Sequence, residues 1–243
     1  MSDEALTAIL DNARHLTKSA KSLYRAKNYA LAVHSSIIGI EESAKYLIAF
    51  CRSHLPEEVF RKRFQHLNKH AVSMAPWFLA GQLSVVYNVH VASQMQPGDD
   101  DLAKATRTMS EYIYQYFYRN DPEAVSRSII SVLEPQDENT QKLNRKVVQQ
   151  REVDRLASVY VDISDDVRIL TSPRDFDRIK AKNYIDMAEF CLCVIQFIGT
   201  PSETIEDFVE MLPVVERRRM KREAKKNARD LMSRRNRFDT SSN

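Results

Sequence analysis

Glycine is scarce in this chain, with four in 243 residues, and long stretches carry no proline. Many-stranded sandwiches and barrels need frequent turn residues, so the shortage excludes them and favours helices. Cysteine is scarce too. Cys51, Cys191 and Cys193 form an odd set without metal-ligand spacing. Cys191 and Cys193 stand two apart on an expected helix, so they point to different faces and do not make a metal pair. With no disulfide framework, a reducing cytoplasmic location is expected. Apolar runs fall far short of the roughly 18 residues that span a bilayer, and no signal peptide is visible, so no membrane role is expected.

Missing motifs narrow the chemistry further. None of the six His has a Glu three residues before it, which removes the signature of carboxylate-bridged two-metal bundles. There is no His-Glu-x-x-His, no phosphate-cradling glycine loop and no Cys-x-x-Cys. Neither a metal nor a cofactor is expected.

What is present is an uneven charge. The formal net charge is +3, yet residues 214–238 hold eleven Arg or Lys against three acids. The body is therefore mildly acidic and the tail strongly basic. Within the tail, Arg217, Arg218, Arg219, Lys221, Arg222, Lys225 and Lys226 are candidate nucleic-acid contacts, because such a segment attracts polyanions in a salt-dependent way. The alternative is a solvated terminal helix. A membrane surface suits it less, since it lacks a wide apolar face.

The stretch from Ala30 to Ile48 carries the strongest anomaly. At about 100° per residue, Ala30, Val33, Ile37, Ala44, Ile48 and Cys51 share one helix face, with Glu41 at its edge, about 20° beyond Ala30 and Ile48. Glu42 points elsewhere and Lys45 lies at the margin. A carboxylate on a core-facing stripe is costly unless cations or donors meet it. It is either a buried structural ion pair or part of an active or recognition site.

Periodicity predicts a first helix to about Arg25, a turn at Lys27-Asn28, and a second helix from Tyr29 to Arg52, together an antiparallel hairpin. Pro56-Glu57-Glu58 opens a basic, aromatic segment to Ser73, and a helix follows over Trp77–Met95. Asp99–Asp101 start a helix through Arg119, whose aromatics from Tyr112 to Tyr118 read as packing. Further helices are expected from Pro122 to Leu133 and over Asn139–Ser158. The period then changes to two, giving a small β-hairpin near 159–170. In its extended part Tyr160 and Asp162 point one way and Val159, Val161 and Ile163 the other. Ser172-Pro173 opens a long helix to about Ile198, Thr200-Pro201 a shorter one, and Pro213 the basic terminal helix. Only Asp239–Asn243 read as disordered. The division is an all-α domain over 1–212 and a basic helix with tail over 213–243.

His66 and Lys69 are three apart and share a face if helical, placing a proton-transfer group beside a fixed cation. Arg61-x4-His66 and Arg63-x6-His70 have the spacing used by one class of metal-independent RNases. Roughly 1.6 such matches are expected by chance in this composition, so the two found carry no weight alone. Arg155 and Tyr160 flank the change from helix to extended chain, where Arg155 suits either a buried carboxylate or a phosphate.

These pieces together resemble the AbiV family of phage-defence (abortive infection) proteins, within the HEPN helical superfamily. Asn28-Tyr29-Ala30-Leu31-Ala32 leads into Ile40-Glu41-Glu42-Ser43-Ala44-Lys45, similar to the family's Ala-x-Glu-Glu-x-Gly-Lys block. Phe64-Gln65-His66-Leu67-Asn68-Lys69 is similar to its Phe-x-His-x-x-Lys block. Arg155 through Asp162, followed by Ser172-Pro173, is similar to its Arg-x-x-x-Leu-Tyr-Val-Asp segment and downstream Pro. Ala44 replaces a Gly and Val159 a Leu, and the superfamily's late Arg-x4–6-His reads here as Arg155-x4-Tyr160. The resemblance implies a HEPN-like multi-helix bundle, homodimeric and cytoplasmic, that halts phage propagation by arresting translation. For the superfamily it implies metal-independent RNA cleavage by attack of the 2′-OH on the adjacent phosphate. On that reading Glu41, Glu42, Lys45, His66, Lys69, Arg155, Tyr160 and Asp162 form the site, with RNA or the ribosome and a phage-encoded activator as partners. The alternative is a non-catalytic helical module that docks a phage protein or the ribosome, and a third reading has no nucleic-acid role at all.

Overall fold

The computed structural model describes residues 3–61, 65–95, 104, 108, 122–133, 138–163, 168–199 and 205–240. The fold is all-α. The described helices are α1 (Asp3–Arg25), α2 (Tyr29–Phe50), α3 (Glu57–Arg61), α4 (His66–Val72), α5 (Ala75–Met95), α6 (Pro122–Leu133), α7 (Glu138–Ala157), α8 (Arg178–Gly199), α9 (Ile205–Met211) and α10 (Val214–Thr240). Of the helix expected from Asp99 to Arg119, Lys104 and Thr108 are helical; the rest of it, its aromatics included, and the start expected at Thr200-Pro201 lie outside the described residues.

The chain divides into two compact units, residues 1–77 with 122–196 and residues 78–121 with 197–243. In the first, α1 and α2 form the expected antiparallel hairpin. Its turn is fixed by Lys27, whose φ of 60° is left-handed, with Lys27 N–H donating to Tyr24 O and Asn28 N–H to Leu23 O, both at 2.9 Å. Ser35 Oγ donates to Leu16 O at 2.8 Å and ties the two helices side by side.

α2 is the centre of this unit. The apolar stripe read from the sequence is buried, and so are Ala32, Ser36, Ile40, Ser43 and Leu47 on the other sides. Only a narrow strip through Leu31, His34, Ile38 and Lys45 reaches solvent, so Glu41 and Glu42 are both buried. The core continues through Ala157 of α7, Phe176, and Ala181, Tyr184, Ile185, Ala188 and Cys191 of α8. Buried Asp154 of α7 accepts from Tyr184 Oη at 2.6 Å and Lys180 Nζ at 2.8 Å, so α7 and α8 are pinned together by polar contacts as well as packing. Burial, then the bond to Asp154, pushes the Tyr184 phenol well above its ordinary range.

The β-hairpin is shorter than expected. Among the described residues only β1 (Asp162–Ile163) and β2 (Ile169–Thr171) pair, antiparallel, with Asp162 opposite Thr171. Residues 158–160 are retained by the end of α7 instead: Ser158 N–H donates to Asp154 O and Tyr160 N–H to Leu156 O. The alternation expected around Tyr160 therefore fails, and Tyr160 and Val161 are both exposed. Ser172 does not open the long helix either. It caps a 3-10 turn over Pro173–Asp175 through a reciprocal capping box, and Phe176, extended and buried, ends that turn. Asp177 Oδ1 then accepts from Lys180 N–H at 2.7 Å, starting α8 at Arg178.

In the second unit, Phe197 packs on Phe208 with ring centroids 4.9 Å apart, and His90 pairs with Glu206. Leu212, Met220, Ala224 and Ala228 are buried. α10 continues to Thr240, so Asp239 and Thr240 are helical where disorder was expected. Among the described residues no helix is long and apolar enough to cross a membrane.

Candidate active site

Three helices of the first unit converge on Glu41. α2 supplies the carboxylate, α4 supplies His66, Lys69 and His70, and α7 supplies Glu152 and Arg155. The spacing explains the convergence: positions i, i+3 and i+4 of α4 share one face, as do Glu152 and Arg155 on α7. α4 begins at His66 because Gln65 is extended, with φ −70° and ψ 129°.

Glu41 Oε2 accepts from His66 Nδ1 at 2.8 Å and from Lys69 Nζ at 2.7 Å. Oε1 has no hydrogen-bond partner among the described residues; the nearest basic groups are His70 Nε2 at 3.6 Å and Arg155 Nε at 4.0 Å. The Glu41 side chain is 2% exposed, that of Lys69 10% and that of His66 45%. The carboxylate and ammonium are thus shielded while the imidazole reaches solvent. Because Nδ1 donates to Glu41, the neutral ring carries its lone pair on Nε2, and no described residue occupies that nitrogen.

Arg155 is held by Glu152 in a two-point contact, Nε to Oε2 at 2.9 Å and Nη2 to Oε1 at 2.7 Å. Those bonds, led by the Arg155 contact, bring the Glu152 carboxyl down to about 2. His70 Nε2 donates to Glu152 Oε2 at 3.3 Å, and its ring is fully buried. Burial lowers the His70 pKa, with Glu41 opposing and Arg151 adding to the effect. His70 therefore bonds Glu152 as a neutral ring, with Glu41 Oε1 3.6 Å from the same nitrogen. Arg151, also buried, donates to Ser73 Oγ and, at 3.3 Å, to His70 O. Burial lowers its pKa as well.

Of the residues expected at the site, Glu41, His66, Lys69 and Arg155 come together. Glu42 and Lys45 do not join them; Lys45 Nζ donates to both Glu42 oxygens, at 2.8 and 2.9 Å. Tyr160 lies close enough to raise the Arg155 pKa slightly among larger contributions led by the Glu152 bond, and it lines an open groove of about 320 Å³ with Val153, Leu156, Ala157, Val161 and Thr171. The backbone of Asp162 pairs in β1. Arg61, the early arginine upstream of His66, is spent on Glu57 at 3.2 Å and is exposed; Arg63 lies outside the described residues. Sequence reasoning missed Glu152 and gave His70 no place here. The one available signal was Glu152 three residues before Arg155, a spacing common on any polar helix.

The family model of AbiV, of the HEPN type, matches residues 1–192. This chain belongs to the AbiV family. No curated protein and no solved structure matches it. The AbiV match covers every residue of the Glu41 cluster and ends before α9 and α10, so the basic tail is an addition beyond it. Membership makes this an abortive-infection protein of the HEPN type, with Glu41, His66, Lys69 and Arg155 inside the family's own span.

Proposed function

We propose that this AbiV protein arrests translation during phage infection by metal-independent endoribonucleolytic cleavage of RNA, with His66 as its acid–base group. The observation that carries the reading is the Glu41–His66 contact at 2.8 Å, from a carboxylate 2% exposed to an imidazole 45% exposed. A buried carboxylate that fixes one ring nitrogen leaves the other as an oriented base facing solvent. His66 Nε2 takes the proton of a ribose 2′-OH as that oxygen bonds to the adjacent phosphorus. The bond from phosphorus to the 5′ oxygen breaks, and the imidazolium returns the proton to that leaving oxygen. The products are a 2′,3′-cyclic phosphate and a 5′-OH end. Lys69 and Arg155 offer positive charge as negative charge builds on the phosphate oxygens. Glu41 and Glu152 hold those cations in place. The acting form is a homodimer released by a phage-encoded activator, with cellular RNA or the ribosome as target.

His66→Ala should abolish translation arrest after induced expression and leave the circular dichroism spectrum and oligomeric state unchanged. Full arrest by that variant, with intact rRNA and tRNA, would remove His66 from the chemistry.

A second reading has its own support. Lys69 is matched by Glu41 and Arg155 by Glu152, so each cation of the cluster already has a carboxylate. On that reading the cluster only holds three helices together, and the protein acts as a docking module for the ribosome or a phage protein. RNA ends would then stay unchanged during arrest, and neutralising the tail arginines would weaken arrest more than His66→Ala.

A further inference from the structure

The basic terminal helix is divided into three faces. Met220, Ala224 and Ala228 are buried at four-residue intervals and form its apolar face. Arg218, Arg222, Lys225 and Arg229 are all exposed. At about 100° per residue they fall within an arc of about 60°, with Lys226 just beside it. Glu216, Glu223 and Asp230 occupy a third face, over 100° from the middle of the cationic one on the same wheel.

Two other cations of α10 are already engaged. Glu210 of α9 accepts from Arg217 Nη1 at 2.7 Å and also pairs with Lys221, and these bonds hold the Glu210 carboxyl below its ordinary range. Arg219 pairs with Glu216 at 2.7 Å. By contrast, among the described residues Arg218, Arg222, Lys225 and Arg229 meet no carboxylate; Arg222 Nε donates only to Arg218 O, at 3.3 Å.

We infer that Arg218, Arg222, Lys225 and Arg229 form a phosphate-binding rail for the backbone of RNA, while Arg217, Arg219 and Lys221 serve to hold α10 in place. The rail rises about 16 Å along the helix, long enough to follow several consecutive phosphates. Three arginines give it two-point hydrogen bonding that suits phosphate oxygens. A bilayer suits it poorly, because the apolar face of this helix through Met220, Ala224 and Ala228 is buried in the protein, and the exposed Val214 and Val215 sit at its first turn, before the cationic face begins. The acids on the third face turn polyanions away from that side. The rail takes its RNA partner from the proposed function, but its role is binding alone and it lies outside the AbiV match.

The test uses the full chain and a fluorescent 20-nucleotide RNA with every 2′-OH methylated, which binds without being cleaved. Anisotropy titrations over a range of salt give the dependence of log affinity on log salt. Replacing Arg218, Arg222, Lys225 and Arg229 together by Gln should weaken binding and flatten that slope by roughly 3, at about 0.7 for each single-strand phosphate that is no longer neutralised. Replacing Lys142, Arg145 and Lys146 of α7 by Gln removes exposed charge elsewhere and should leave the slope nearly unchanged. A slope unaltered in the rail variant overturns the inference, as does a slope that falls equally in the α7 variant. Wild-type binding to phosphatidylserine vesicles but not to the RNA overturns it in favour of a membrane surface. Binding that follows the rail while native RNA stays uncleaved upholds the rail and counts against the catalytic reading alone.

Discussion

Lys69 and Glu41 are the residues whose loss the first unit should feel most. Glu41→Gln keeps the volume of the side chain but leaves the 10%-exposed Lys69 ammonium without its counter-charge. Breaking one side of a buried pair costs about 3–5 kcal/mol, so urea unfolding should show a drop of that order. Lys69→Met in the same background should restore part of it, and two additive decreases would show that the pair is not coupled. His66→Ala, by contrast, removes an exposed ring and should change stability by less than about 1 kcal/mol. Acid sensitivity follows from the other two members. The His70 pKa is lowered from 6.5 by burial, so its contribution is fully present above 6.5 and is lost as pH falls below it. The Glu152 pKa is lowered from 4.5 to about 2, so its contribution is present above 4.5 and is lost as pH falls towards 2. Unfolding midpoints measured from neutral pH down to about 3 should show both decreases, and Glu152→Gln should erase the lower one. A midpoint that keeps falling in that variant below pH 4.5 would place the acid-labile group elsewhere. The legible part at this scale was Glu41, because a charge at the edge of an apolar stripe is a local contradiction visible in any sequence. His66 and Lys69 were legible as a shared face. His70 and Glu152 were not, since a buried neutral histidine and an intrahelical pair leave no mark on hydrophobic periodicity.

Elements were readable where local chemistry acts alone. The α1–α2 turn, the start of α6 at Pro122 and the extents of α5 and α7 followed from spacing and breakers. They were misread where two local signals compete. At 158–160 the β-prone residues Val159 and Tyr160 lose to the free carbonyls at the end of α7, and Ser172-Pro173 spends its cap on a single turn. α2 shows a different limit, because a helix buried on most sides also displays one apolar stripe, and the stripe does not reveal that Ala32, Ser36 and Ser43 are covered too. α10 is held at its start by Glu210, which binds two of its cations from α9. Glu210→Gln should therefore speed amide exchange in the first turns of α10 and leave α2 and α7 unaffected. Unchanged exchange around Arg217 and Lys221 would mean that the buried Met220, Ala224 and Ala228 suffice to dock the helix.

At the scale of the whole molecule, two compact units share the chain, and the AbiV match ends at residue 192, close to where the first of them does. The first unit holds the Glu41 cluster with both its carboxylates, and the second holds the cationic rail. The AbiV family was legible in the sequence because its blocks lie on the helices that meet at Glu41, so order along the chain stood in for contact in space. The sorting of the tail cations into docking and free sets was not legible, because Glu210 precedes that tail and only folding brings it alongside. The central claim is that His66, fixed by Glu41, cleaves RNA through the 2′-OH. Mapping RNA ends after induced expression, with wild type and His66→Ala compared at equal protein levels, tests it most directly. The account predicts new 2′,3′-cyclic phosphate and 5′-OH ends with wild type and none with His66→Ala; arrested translation with no new RNA ends, or the same ends from both proteins, would contradict it.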